Sequence, residues 1–181
     1  MSDIIENLLK QDHDYSESKF KSKVENMFVQ IKLAMVTGKI QKIDHFVNDE
    51  TYSKIEKKVK DDIENNRIQI YDELNVSDVQ IKNIEELNDC FKITVQVFSK
   101  SLEYYINKET RQYLSGNNHS RTERYTNVVL TKNKNAKSYK VARKCPYCGA
   151  TIDVNANGRC DYCRKIFDLE SYDWVITEME I

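Results

Sequence analysis

The chain has 181 residues, 28 Lys and Arg against 29 Asp and Glu, a formal net charge of −1 and 40% hydrophobic residues. That is enough for one good core plus a small satellite unit. The same figures exclude a disordered chain, a globally basic polynucleotide binder and any apolar run long enough to span a bilayer.

The opening MSDIIENLLKQD lacks a basic start followed by an apolar core. A cytoplasmic, reducing location is therefore expected, and residues 1–13 read as an N-terminal tail. Asp14 followed by Glu17 resembles a capping box, after which Phe20, Val24, Met27, Phe28, Ile31 and Met35 recur on one helical stripe. Such a stripe, with lysines opposite, is the core-facing side of a surface helix. Gly38 ends that helix, and Ile40, Ile43 and Phe46 suggest a short second one. Asn48 or Asp49 then caps a third, carrying Tyr52, Ile55, Val59 and Ile63. Arg67 to Asn75 reads equally as more helix or as the start of a sheet.

From Val76 the period becomes two. Phe91, Ile93, Val95 and Val97 alternate with Lys92, Thr94 and Gln96, and beyond Phe98 the apolar parity flips to Leu102, Tyr104 and Ile106. A bulge near Phe98 to Lys100 accounts for the flip. Residues 107–118 read as a connection, about 122–131 and 139–143 as strands, and YDWVITEMEI as a final strand that needs a sheet to join. The expected partition is a main domain over 14–144 (helices about 15–66, strands about 76–144), a metal unit over 145–166, and a last strand of the main domain over 167–181. Helices followed by a mainly antiparallel sheet make the fold class α+β.

Cys145, Cys148, Cys160 and Cys163 form two CxxC pairs separated by eleven residues. Each pair presents two thiolates from one tight turn, and two facing turns complete the tetrahedral sulfur shell that Zn²⁺ prefers. Pro146 stiffens the first turn and Gly149 supplies a residue tolerant of positive φ, whereas Arg164 stands at the equivalent place in the second. A closed shell has no open coordination position, so the expected ion is a structural zinc and not a catalytic one. Cys90, inside the strand pattern, reads as a small buried hydrophobe.

Charge is uneven near the C-terminus. Residues 131–144 hold six bases and no acid, while 166–181 hold five acids and no base. Lys132, Lys134, Lys137, Lys140, Arg143 and Lys144 are candidates for contact with an anionic surface, unless the acidic strand lies beside them and neutralises them. Arg143, Lys144, Arg159, Arg164 and Lys165 surround the cysteine unit, which raises nucleic-acid binding as a lesser alternative; Asp153, Asp161 and Asp168 dilute that patch. His13, His45 and His119 sit apart from any motif that defines a triad or an acid–base pair, so no catalytic residue is assigned. If the domain encloses a cavity, as a small-molecule binder or enzyme requires, Tyr104, Glu123 and Tyr125 are its candidate lining.

Several stretches together resemble the bacterial Tim44-like proteins: DYSESKFKSKVENMFVQIKLAMVTGKIQKIDHFVNDETY, FKITVQVFSKSLEYYIN, SRTERYTNVVLTK, the cysteine ribbon CPYCGATIDVNANGRCDYC and YDWVITEMEI. The resemblance runs over about residues 14–181. It implies the nuclear-transport-factor-two-like, or cystatin-like, cone: N-terminal helices on a curled antiparallel sheet, with the zinc ribbon inserted before the last strand. It also implies a non-enzymatic module at the inner face of a membrane or in protein transport or assembly, because the family is named for a peripheral subunit of the mitochondrial inner-membrane import translocase. An unknown protein or an anionic lipid surface is the partner that follows. Tyr125 departs from the family pattern, which commonly has Trp there.

Overall fold

A computed structural model of the chain describes residues 2–13, 15–45, 47–134 and 174–181. Three helices come first: α1 (Ser2–Gln11), α2 (Glu17–Thr37) and α3 (Asp49–Glu64), with a single 3₁₀ turn at Ile40–Lys42 between the last two. Four strands follow, β1 (Arg67–Glu86), β2 (Cys90–Asn107), β3 (Tyr113–Asn133) and β4 (Val175–Met179). They form one antiparallel sheet in the order β1-β2-β3-β4. The architecture is α+β, as the separation of helical and alternating patterns implies.

The expected tail is a helix. Ile4, Ile5 and Leu8 fall on one side of α1, Leu8 is fully buried, and the two isoleucines pack against the core. Polar ties hold the helix down: Asn7 Nδ2 donates to Glu86 at 3.0 Å, and Lys132 Nζ pairs with Asp12 at 2.5 Å. Ser16 caps α2, its side-chain oxygen accepting from the Lys19 amide, while Asp14, the residue the sequence suggested, lies outside the described residues. At the far end Gly38 takes φ +69°, a left-handed turn that suits glycine. The stripe behaves as read, with Phe20, Val24, Met27, Phe28, Ile31 and Met35 all buried. Asn48 caps α3 by accepting from Thr51 N at 2.9 Å, and Ile55 and Val59 are buried beneath it, whereas Ile63 is exposed.

Arg67 to Asn75 belongs to the sheet, because Asn66 at φ +54° turns the chain out of α3 and into β1. The expected connection over 107–118 is mostly strand: β3 begins at Tyr113, leaving a short turn before it. Gly116 pairs with Tyr104 of β2 across the sheet. A Cβ there would come within 2.6 Å of the Glu103 carbonyl oxygen, and its φ of +104° adds strain for any other residue. The flip expected near Phe98 to Lys100 does not occur: the inward alternation of β2 runs through Val95, Val97, Ser99, Ser101, Glu103 and Tyr105, and the register shift opposite Ser101 and Glu103 places its extra residues in β3. Cys90, expected to be buried, is partly exposed because it opens β2 at the hairpin.

β4 pairs with β3, from Val128↔Met179 to Thr131↔Val175. Its other edge meets the chain entering α3, where Asn48 N donates to the Ile176 carbonyl at 3.0 Å and Thr51 Oγ1 to the Thr177 carbonyl at 2.8 Å. Trp174 packs edge-on against Phe20 with ring centroids 5.1 Å apart, and Tyr15 lies beside both. Trp174 and Ile176 are therefore core residues of the same domain as the helices. The four cysteines, the expected strand 139–143, and Lys137, Lys140, Arg143 and Lys144 lie outside the described residues.

Candidate binding cavity between the sheet and the helices

The inward face of β2 changes character along its length. From Phe91 to Val97 each inward residue is large and apolar, but at positions 99 and 101 it is serine, 4% and 1% exposed. Two small side chains in sequence leave space beneath α2 and α3. That space is a cavity of about 370 Å³, at the lower end of the range occupied by small-molecule sites. Its roof comes from Phe28 and Lys32 of α2 and Lys58 of α3, and its walls include Gln69, Tyr71 and Leu74 of β1, Glu103 and Tyr105 of β2, and Arg124 of β3.

Most of the charge in this region is paired. Asp62, 5% exposed, accepts from Lys58 Nζ and, at 2.8 Å, from Arg67 Nε. The Arg67 guanidinium stacks 4.4 Å from the Tyr105 ring centre, and the Tyr105 hydroxyl donates to Gln69 at 3.2 Å. Glu103 accepts from Arg124 through Nε at 3.0 Å and Nη2 at 2.9 Å, which pushes the Arg124 pKa up.

Lys32 differs. Its ammonium lies 4.3 Å from the Tyr71 ring centre and 5.4 Å from that of Phe28. Among the described residues no carboxylate comes within ion-pair distance of it. Burial pushes its pKa from 10.5 down to about 8; Glu103 opposes that, and Arg124 and Lys58 reinforce it. Tyr71 beside it is pushed far up, by burial first and then by Glu103.

The sequence-derived lining fares differently at each position. Tyr125 borders the mouth, 57% exposed, with its ring edge-on to Phe98 at 5.0 Å. Glu123 pairs with Lys100 at 2.6 Å on the solvent side, and Tyr104 lies near Tyr113; neither lines the cavity. The reason is parity. The expected flip of parity does not occur in β2, so the inward residues of this region continue as Glu103 and Tyr105, with Arg124 from β3, each one position from a residue chosen by pattern. Lys32, the least expected member, had a signal in the sequence: it stands four residues after Phe28 on a stripe otherwise apolar.

Of the candidate surface bases, Lys132 pairs with Asp12 and Lys134 with Glu86 at 2.9 Å, their side chains 14% and 20% exposed. None of the three histidines lines the cavity, and no group of metal-ligating side chains occurs among the described residues. No described helix is long and apolar enough to cross a membrane.

Compared with known proteins, residues 1–144 match the model of the Tim44-like domain. The match stops one residue short of Cys145, so the cysteine unit and the final strand lie beyond it. No curated protein matches the chain.

Proposed function

Because the chain belongs to the Tim44-like domain family, we propose that it is a non-enzymatic binding module of protein transport or assembly, acting peripherally at an anionic membrane surface. The family match over residues 1–144 is the observation that carries this reading. The fold it implies is the cone of the nuclear-transport-factor-two-like class, here with an added cysteine unit.

Charge bookkeeping narrows which bases serve the surface. Lys132 and Lys134 already neutralise Asp12 and Glu86 and hold α1 to the sheet. The attraction therefore falls to Lys137, Lys140, Arg143 and Lys144, at about 1 kcal/mol for each base that reaches an anionic headgroup layer. Reversing those four to Glu should abolish co-sedimentation with vesicles of phosphatidylcholine and phosphatidylserine at low salt. Binding of the parent protein should itself fade as salt rises. Equal partitioning of parent and variant would remove the membrane part of the proposal and leave a protein partner.

Cys145, Cys148, Cys160 and Cys163 are proposed to hold one structural Zn²⁺, on the chemistry of an all-thiolate donor set. Metal analysis of the purified protein should find one zinc per chain, and loss of two of these cysteines should remove it. The segment has few apolar side chains with which to offset its ordering entropy, so its folding should depend on the ion.

A further inference from the structure

We propose that the cavity under α2 and α3 is a binding site for a compact organic monoanion, a carboxylate on an aromatic or short aliphatic body, with Lys32 as its counter-ion. The inference goes beyond the surface role above and does not depend on it.

Three observations converge. Lys32 projects from the core-facing stripe of α2 into a space of about 370 Å³, room for a ligand but more than a packing defect. Every other cation at the cavity is in contact with a carboxylate: Lys58 and Arg67 share Asp62, and Arg124 holds Glu103. Glu180, at the mouth, is hydrogen-bonded to the Asn127 side-chain amide at 3.1 Å. The Lys32 ammonium is left facing two aromatic rings, an arrangement that stabilises a cation less well than a desolvated carboxylate does.

The floor supplies the rest of a carboxylate site. Ser99 is almost fully buried at the cavity and makes no side-chain hydrogen bond among the described residues, so its hydroxyl is available to a second oxygen. Ser101 is partly committed, donating to Glu103 at 3.3 Å. Phe28, Tyr71 and Leu74 give the ligand body apolar and aromatic walls. Lys32, Lys58, Arg67 and Arg124 set against Asp62, Glu103 and Glu180 leave one net positive charge, which favours a carboxylate over a dianionic phosphate.

The groups facing Lys32 are Glu103 from β2, Arg124 from β3, Lys58 from α3 and the Tyr71 hydroxyl from β1. Lys32, its pKa lowered by burial to about 8, loses charge just above neutrality. Anion affinity should accordingly fall by about tenfold between pH 7 and pH 9.

Titration calorimetry of the full chain with 1-naphthoate and with its neutral isostere 1-naphthamide tests the idea. At pH 7 the naphthoate should bind about tenfold more tightly, the preference expected of one charge-assisted contact. Lys32→Met should remove that preference and leave naphthamide binding as it was, while Lys32→Arg should keep it. Backbone amide shifts on naphthoate addition should centre on residues 69–74 and 99–105. Equal affinities for the two probes, no binding of either, shifts centred elsewhere, or a naphthoate preference that survives both pH 9 and Lys32→Met would each overturn the proposal. The probe pair and the pH series need only the parent protein, so they decide the matter even if the methionine variant fails to fold.

Discussion

The two ends of the space between α2 and the sheet are built from the same elements yet do different work. Near the start of α2, Phe20, Val24 and Met27 share one buried hydrophobic core with Ile93, Val95, Leu130, Ile176 and Trp174. Two turns further along the same helix, Lys32 faces Tyr71, Ser99, Glu103 and Arg124 across open space. Close packing at the first end stabilises the fold; at the second, small serines and a buried ammonium give up stability and leave a site. The contrast shows that neither the helix nor the strand pattern alone determines which end binds. The inward residues of β2 do, by changing from valine to serine.

The comparison breaks most sharply at Trp174. Trp174→Ala should cost about 3 to 5 kcal/mol, since a buried indole in contact with Phe20 and Tyr15 is lost from the packed end. Urea unfolding measures it. A midpoint equal to that of the parent protein would mean that β4 contributes nothing to the core.

At the open end the sign should reverse. Lys32 has a folded pKa of about 8 against 10.5 unfolded, so between those values the unfolded chain binds more protons and stability should rise with pH. Lys23, pushed to about 8 by burial first and then by Lys132, against the pull of Asp12, contributes in the same window. Lys32→Met removes the Lys32 share of that rise. At pH 7 the variant should be more stable than its parent by roughly 1 to 3 kcal/mol, the cost of burying an ammonium without a carboxylate. Urea unfolding at pH 7 and pH 10 should show the two proteins converging as pH rises.

The smallest effect belongs to the solvent face of the same strands. Glu123 pairs with Lys100 across β2 and β3, but both are exposed. Glu123→Ala should leave the melting midpoint and the naphthoate affinity unchanged, which thermal melts and calorimetry can check. A loss of affinity would move the site from the inner face of the sheet to the outer one.

Much of this arrangement is legible in the sequence. The α2 stripe, the glycine stop at Gly38, the Asn48 cap and the burial of Trp174 and Ile176 all follow from local pattern and appear in the structure. What pattern missed had physical causes. Helix α1 is too short to be stable alone, so its Ile4, Ile5 and Leu8 periodicity means little until Glu86 and Lys132 hold it to the sheet. After the exposed Tyr113 and Leu114, strand β3 runs through mostly polar residues from Ser115 to Arg124, a part that pairs with β2 without covering the core, so alternation gives no signal there. The cavity lining was off by one position because the extra residues sit in β1 and β3 and not in β2, so β2 keeps one parity, and Ser99 and Ser101 carry it inward without an apolar mark. Lys32 shows the general difficulty: a lysine on an apolar stripe reads as a helix edge until tertiary structure shows what faces it.

The charge state of Lys32 tests this account most directly. Carbon-detected NMR titration of the lysine side chains, assigned by the signal missing from Lys32→Met, should place the Lys32 midpoint at about 8. Saturating 1-naphthoate should move that midpoint upward and leave the Lys23 midpoint where it was. A Lys32 midpoint near the ordinary lysine value of about 10.4, unmoved by naphthoate, would contradict the claim that the fold buries an ammonium ready to receive an anion.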